Sequence, residues 1–161
     1  MKCAEFDIEE RAERAVRNFE SGYNCAQSVF LAYADLFGLE LEQAKMMSVS
    51  FGGGMGRMRE VCGTVSATAM LIGFRYPVED PSDMEARTRN YAMTQKAFAL
   101  FKERFGTYIC RELLPPEDQS TAPKPSERTA AYYAKRPCAK FVRQSALNAG
   151  AMLKGEWEEE A

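Results

Sequence analysis

The sequence predicts an all-α fold, a helical bundle of seven or eight helices that forms one domain over residues 1–161. Helix start and stop signals recur along nearly the whole chain. No run of residues alternates β-branched and polar side chains as an exposed strand would. A hydrophobic content of 46% in 161 residues is sufficient for one packed core, which favours a single domain.

The first two helices are each predicted from a capping box. Asp7 and Glu10 mark the start of the first helix, which is followed by an apolar stripe with helical spacing. Asn24 and Gln27 repeat this arrangement before the second helix. The repeat places Cys25 at the first helical position, beside unpaired backbone N–H groups.

A third helix is predicted over residues 41–51, and a glycine cluster follows it. Glycine tolerates positive φ, so this loop can bring bare main chain close to a ligand. The candidate ligand-binding residues of the segment are Gly53, Gly54, Gly56, Arg57, Arg59 and Gly63. A simple tight turn is the more common explanation of such a cluster, and neither the dinucleotide nor the P-loop spacing is present.

The middle of the chain contains the helix that follows Cys62 and the longest helix. Small residues after Cys62 continue to Gly73 and permit close helix contacts. The longest helix is predicted to begin with a capping box at Ser82 and to end at Gly106.

The last third of the chain alternates short helices with a loop. Thr107 is predicted to cap a short helix with Cys110 in its first turn. The proline-rich residues 115–126 read as a surface loop within the domain. Residues 127–135 are predicted to be helical, and Cys138 lies at the start of the final helix.

Composition excludes several classes of function. The chain contains no histidine, which excludes imidazole-activated nucleophiles and histidine-ligated metals. A net charge of -2 gives no electrostatic reason to expect a nucleic-acid partner. No apolar run approaches the roughly 18 residues of a transmembrane helix, and the acidic N-terminus does not resemble a signal peptide. We therefore expect a cytoplasmic protein, in which cysteines stay reduced.

Four of the five cysteines lie at predicted helix starts: Cys25, Cys62, Cys110 and Cys138. The positive end of the helix dipole and the free N–H groups there make a thiol easier to ionise. A single cysteine is more often a small buried apolar residue. Four cysteines at helix starts shift the balance toward redox or metal chemistry.

Three stretches of the chain carry a resemblance to a known family. These are Gly-Tyr-Asn-Cys-Ala-Gln at 22–27, the glycine-rich run 51–56 that leads to Val-Cys-Gly at 61–63, and the isolated Cys110 and Cys138. The pattern resembles the C_GCAxxG_C_C family of redox-active proteins. The resemblance covers most of the chain and implies four characteristic cysteines, without an established reaction or substrate.

The chain departs from the family motif at two positions. Thr64 stands where the motif has alanine, and Ala67 stands where it has its second glycine. Both replacements are small, and the Thr64 hydroxyl adds a hydrogen-bonding group close to Cys62. Cys3 lies outside the pattern, and we interpret it as an incidental thiol.

The first functional hypothesis is thiol-based redox chemistry, as in a thiol-dependent oxidoreductase that needs no cofactor. Cys25 and Cys62 are the expected reactive thiols, and Arg57 and Arg59 precede Cys62 closely enough in sequence to favour its thiolate. Cys110 and Cys138 are then resolving thiols or a second couple. The expected partner is a redox protein or a small oxidant.

The second hypothesis is a metal or iron–sulfur protein in which the same four cysteines are ligands. Four thiolates suit tetrahedral zinc or an iron–sulfur cluster. The separations of 37, 48 and 28 residues count against it, because usual sites contain at least one close cysteine pair.

The third hypothesis is a helical interaction protein in which the cysteines only pack. Met46, Met47, Met55 and Met58 flank the glycine loop and would supply an adaptable apolar surface. Methionines at helical spacing belong more often to a core, and we expect these to be core residues.

Overall fold

The structure is a computed structural model that describes residues 5–158. These residues form eight α-helices and no strand, which confirms the all-α prediction. The helices are α1 Ile8–Glu20, α2 Cys25–Leu31, α3 Leu41–Ser48, α4 Gly63–Arg75, α5 Met84–Phe105, α6 Cys110–Leu113, α7 Ala130–Lys135 and α8 Cys138–Leu153. Short 3₁₀ turns lie between the helices at Ala34–Phe37, Val49–Phe51 and Pro116–Asp118.

The main core lies where α1, α2, α4 and α8 pack against one another. Tyr33 is fully buried there, and its hydroxyl donates to the Ala146 carbonyl of α8 at 2.7 Å. A Cβ added at Gly150 would lie 2.6 Å from the Tyr33 hydroxyl oxygen. Gly150 therefore permits the close approach that lets α8 pack at this point.

A second apolar cluster connects α5 to the segments that carry the cysteines. Phe101 of α5 and Phe141 of α8 are buried, with ring centroids 5.7 Å apart, and Phe105 makes an edge-to-face contact with Phe141 at 4.8 Å. Cys62 and Val65 belong to the same cluster. The sulfur of Cys62 is thus supported by aromatic packing.

The first two predicted caps are present. The Asp7 carboxylate accepts from the Glu10 backbone N–H at 2.8 Å. Asn24 and Gln27 form both hydrogen bonds of a capping box, at 2.9 and 3.2 Å. These local interactions explain why α1 and α2 begin where the sequence predicts.

The predicted cap of the longest helix was wrong by one residue. Asp83 caps α5, since its carboxylate accepts from the Ala86 backbone N–H at 2.9 Å. Ser82 instead gives both its backbone N–H and its hydroxyl to the Asp80 carboxylate. Ser82 therefore belongs to the turn before the helix.

Two further helix starts differ from the prediction. Ile109, not Thr107, precedes α6, and the Thr107 hydroxyl accepts from the Ile109 backbone N–H at 3.1 Å. Helix α7 begins only at Ala130, because Thr129 is its cap and accepts from the Tyr132 backbone N–H at 3.1 Å. Within residues 5–158, none of the helices is both long enough and apolar enough to cross a bilayer.

Candidate functional site

Every cysteine of the predicted set lies at a helix start. Cys25, Cys110 and Cys138 are the first residues of α2, α6 and α8, and Cys62 directly precedes α4. All four line one small cavity of about 60 Å³. Four segments that are remote in sequence thus converge at one place.

A short backbone pairing holds Cys62 beside Cys110. The Cys62 N–H donates to the Tyr108 carbonyl at 2.8 Å, and the Cys110 N–H donates to the Glu60 carbonyl at 2.6 Å. These bonds flank an isolated antiparallel bridge between Val61 and Ile109. The pairing fixes the two cysteine segments side by side, although they are far apart along the chain.

Cys25 reaches the same cavity because a glycine follows Cys62. A Cβ added at Gly63 would lie 2.7 Å from the Cys25 sulfur and 2.7 Å from the Phe51 carbonyl oxygen. Contacts this short would force neighbouring atoms to move. Gly63 is therefore required for the close packing of α2 against the start of α4.

The four thiols differ in accessibility. Cys62 and Cys110 are buried, and Cys25 and Cys138 are half-buried. All four are free, so the described residues contain no disulfide. Cys3 lies outside the described residues.

Burial governs the acidity of three of these thiols. It raises the pKa of Cys62 strongly, raises the pKa of Cys110, and raises the pKa of Cys138 to about 12. A charge on Cys25 would raise the pKa of all three further. The expectation that Cys62 ionises easily at its helix start was wrong, because loss of hydration outweighs the helix terminus.

The Cys62 sulfur has a polar neighbour on its own helix. Cys62 Sγ and Thr64 Oγ1 share a hydrogen bond of 3.1 Å, and the Ser145 hydroxyl of α8 donates to Thr64 Oγ1 at 2.9 Å. This confirms that Thr64 places a hydrogen-bonding group close to Cys62. The bond opposes the effect of burial on the Cys62 pKa.

Arg59 is buried at the site, with only 3% of its surface exposed. Its Nη1 donates to the Cys110 sulfur at 3.8 Å and its Nε donates to the Ser120 carbonyl at 3.0 Å. Arg59 therefore contacts Cys110 and not Cys62, which corrects the prediction made from sequence proximity. The reason is the bridge between residues 61 and 109, which turns the Arg59 segment toward Cys110.

The glycine loop has an unusual backbone. Positive φ values of 56–70° occur at Gly53, Gly54, Met55, Gly56, Arg57 and Arg59. Non-glycine residues adopt this conformation at a cost of roughly 1 kcal/mol each. Such strain is typical of functional sites when the surrounding structure maintains it.

The candidate ligand-binding residues occupy different parts of the site. Gly53 and Arg59 line the cysteine cavity, as does Gly63. Gly56 and Arg57 line a wider outer cleft. Gly54 lines neither; a Cβ there would lie 2.7 Å from the Cys110 Cβ, so it permits close packing against that cysteine.

The outer cleft has a volume of about 420 Å³ and adjoins the cysteine cavity. The two spaces share the residues Asn24, Gly53, Arg59, Arg128, Tyr132 and Arg136. The cleft is therefore an approach to the thiols.

Sequence reasoning missed two residues of this approach, Arg128 and Tyr132. The Arg128 guanidinium lies over the rings of Phe19 and Tyr132, at 4.8 Å from each centroid. It also donates to the carbonyls of Phe19 and Tyr23 at 3.3 and 3.2 Å. The only sequence signal was two arginines on either side of a short helix, which is not distinctive.

The positions of the side chains also bear on metal binding. In residues 5–158, no three cysteine, aspartate or glutamate side chains are grouped so that they could hold a metal ion. A four-thiolate centre would require the sulfurs to draw together from these positions. The metal hypothesis stays a prediction.

The methionines around the glycine loop are not core residues. Met46 is 70% exposed, Met47 42%, Met55 50% and Met58 55%. The prediction that they pack inside was therefore wrong. The helix α3 is short, and the left-handed loop points Met55 and Met58 to solvent.

Comparisons with known proteins match most of the chain to one family. A family model described as "Putative redox-active protein (C_GCAxxG_C_C)" matches residues 23–152. A relative named "Uncharacterized protein", from Archaeoglobus fulgidus, is 26% identical over 121 residues, which cover 70% of this chain and 79% of the relative. No solved structure matches significantly. The chain belongs to the C_GCAxxG_C_C family of redox-active proteins.

Proposed function

We propose that this protein carries reducing equivalents by thiol/disulfide exchange among Cys25, Cys62, Cys110 and Cys138. The observation that carries the proposal is their convergence on one small cavity from four helix starts. Exchange between thiols requires that one sulfur can attack another, and a shared cavity is the arrangement that allows it.

Cys25 is the best candidate for the first attacking thiol. Only Cys25 and Cys138 are half-buried among the four, so an incoming sulfur reaches them first. Burial raises the pKa of Cys138 to about 12, which disfavours its thiolate at neutral pH.

Cys62 is the best candidate for the thiol that resolves the first intermediate. Its neighbour Gly63 has no side chain between it and the Cys25 sulfur. After burial, the charge of Cys25 is the strongest influence on the Cys62 pKa. Cys110 and Cys138 then form a second couple.

The proposed exchange proceeds in two steps. The Cys25 thiolate attacks a disulfide of the oxidant, a mixed disulfide forms, and the oxidant releases one thiolate, which takes up a proton. The Cys62 thiol gives up its proton and attacks the Cys25 sulfur, and the second thiolate leaves and is protonated. Two protein thiols are oxidised to one disulfide, and one disulfide is reduced to two thiols.

Thiol titration of the reduced protein before and after mild oxidation tests the proposal. We expect free thiols to fall in pairs, with peptide mapping to show a disulfide that contains Cys25. Cys25→Ser should prevent the oxidation of the first pair of thiols. Cys3→Ser, which lies outside the four-cysteine pattern, should leave disulfide formation unchanged. Unchanged free thiols in the oxidised wild-type protein would refute thiol exchange.

A four-thiolate zinc or iron–sulfur centre is the second candidate. The shared cavity of the four sulfurs favours it, and the sulfurs would have to draw together from their present positions to bind one centre. Its ligands would be Cys25, Cys62, Cys110 and Cys138, and a cluster would supply one-electron transfer. Anaerobic purification with metal analysis and an absorption spectrum distinguishes the two candidates. A reducing cytoplasm suits either candidate and stays a prediction.

A further inference from the structure

The outer cleft contains more positive charge than nearby carboxylates neutralise. Arg57, Arg59, Arg128 and Arg136 all line it. Of these four, only Arg136 forms an ion pair with a carboxylate in residues 5–158, to Asp118 at 3.5 Å. Three arginines in one cleft are therefore left without an anionic partner.

Two of these arginines also have buried nitrogen atoms without a hydrogen-bond acceptor. Nη2 of Arg59 and Nε of Arg57 are both buried and unpaired among the described residues. Arg59 is 97% buried and lines both the cleft and the cysteine cavity. A buried charged donor that has neither an acceptor nor a carboxylate beside it is costly, so such a donor indicates a missing partner.

The mutual position of the arginines strengthens this indication. Burial lowers the pKa of Arg57, and the charges of Arg59 and Arg136 lower it further. Arg57 and Arg59 both have positive φ, at 65° and 60°. The fold thus holds cations that repel one another close together on a strained backbone. An anion bound between them would stabilise this arrangement.

We infer that this cleft binds the carboxylates of a low-molecular-weight disulfide, which is the substrate that Cys25 attacks. The inference rests on the proposed thiol exchange. The cleft volume of about 420 Å³ is in the range of small-molecule sites. The cavity of about 60 Å³ beyond it admits only a small group such as the reacting S–S bond. Arginine forks bind carboxylates in paired hydrogen bonds, which orients the disulfide toward the thiols.

Reaction rates with three disulfides of different charge test this specificity. The probes are 3,3′-dithiodipropionate, which is anionic, 2-hydroxyethyl disulfide, which is neutral, and cystamine, which is cationic. Each rate is divided by the rate of the same disulfide with dithiothreitol, which removes differences in intrinsic reactivity. We expect the reduced protein to prefer the anionic probe over the neutral one by about tenfold, the effect of one charge-assisted hydrogen bond.

Variants of Arg57 locate the preference in the cleft. Arg57→Gln should remove most of it, and Arg57→Lys, which keeps the charge, should retain part of it. Arg89→Gln is the matched control, because Arg89 lies on α5, lines neither space and is 62% exposed. Equal normalised rates for the three probes would overturn the inference, as would an equal loss in Arg89→Gln.

A binding measurement separates this inference from the proposed exchange. Suberate is the all-carbon analogue of 3,3′-dithiodipropionate and cannot be reduced. We expect calorimetry to detect its binding to the reduced protein, and Arg57→Gln to weaken binding about tenfold. Suberate binding without thiol oxidation would refute only the exchange, and thiol oxidation without suberate binding would refute only the anion site.

Discussion

Two buried arginines, one in the main core and one at the thiol site, show how the two regions differ. Arg11 is 8% exposed, donates to the Ala32 carbonyl at 2.9 Å and is paired with the Asp35 carboxylate. Arg59 is 3% exposed, and its partners are a carbonyl and a sulfur. The arginine in the core is thus paired with a carboxylate, and the arginine beside the cysteines is not.

The two regions also differ in backbone conformation. The core consists of regular helices, and Gly150 lets α8 approach Tyr33 there. At the thiol site, three non-glycine residues, Met55, Arg57 and Arg59, have positive φ. Strain and unneutralised charge coincide at the cysteines, which indicates that this region is shaped for binding and not for stability.

The largest expected effect comes from exchanging the two arginines for methionine. Arg11→Met should destabilise the protein by about 3 kcal/mol, because it leaves the buried Ala32 carbonyl without a donor and breaks a charge pair. Arg59→Met should cost less than about 1 kcal/mol. The change removes a buried charge that has no carboxylate partner, and the Ser120 carbonyl that loses its donor belongs to an exposed residue. Denaturant unfolding of the reduced proteins measures both. Equal losses would contradict the contrast between the regions.

A pair of glycines on one helix tests whether the site is as tightly packed as the core. Gly63→Ala should destabilise by about 2 kcal/mol, because the new methyl group would overlap the Cys25 sulfur and the Phe51 carbonyl. Gly73→Ala, later in α4, has nothing within 4 Å of the new atom and should stabilise by about 0.5–1 kcal/mol. Thermal unfolding of both variants checks the signs. A harmless Gly63→Ala would show that α2 and α4 are not held in close contact.

The pH dependence of stability should reveal the raised pKa of the Cys138 thiol. Burial raises the pKa of Cys138 to about 12, while an unfolded thiol titrates near 8.5. The folded chain therefore binds more protons than the unfolded chain between these values. The stability due to this thiol is complete below about pH 8.5 and is lost as the pH rises toward 12.

Denaturant unfolding under reducing conditions from pH 7.5 to 10.5 measures this slope. Cys138→Ser should flatten it by roughly 1 kcal/mol per pH unit above pH 9, and Cys3→Ser should not. The same slope in wild type and Cys138→Ser would mean that Cys138 is not protected from ionisation by the fold.

A further modest effect concerns the hydroxyl group that contacts the Cys62 sulfur. Thr64→Ala should cost about 1 kcal/mol, because it removes the hydrogen bond to the sulfur and leaves the buried Ser145 hydroxyl without its acceptor. Adding Ser145→Ala should recover part of this loss, since no buried hydroxyl is then unpaired. Strictly additive losses in the double variant would show that the two hydroxyls are energetically independent.

The fold and the cysteine positions were predictable because their signals are local. The capping box of Asn24 and Gln27 specifies the start of α2 within a few residues, and Cys25 follows from it. Caps failed as predictors where two polar residues competed, as Asp83 did with Ser82. There the Asp80 carboxylate holds Ser82 in the turn, and Asp83 caps the helix.

Acidity and charge clustering were not predictable, because they depend on distant parts of the chain. A helix start suggests an easily ionised thiol, but the aromatic cluster around Phe101 and Phe141 buries Cys62 and reverses the expectation. Arg128 and Arg136 meet Arg59 only through tertiary packing. That these residues make one domain stays a prediction.

The cysteines are fixed at the beginnings of helices, and this determines where the chain can gain residues without disturbing the site. Insertions within the loop before α5 would lengthen the interval between Cys62 and Cys110 without displacing either sulfur, since the backbone pairing of residues 60–62 with residues 108–110 positions both. Distant homologues should therefore share the order of the cysteines while the interval between Cys62 and Cys110 drifts.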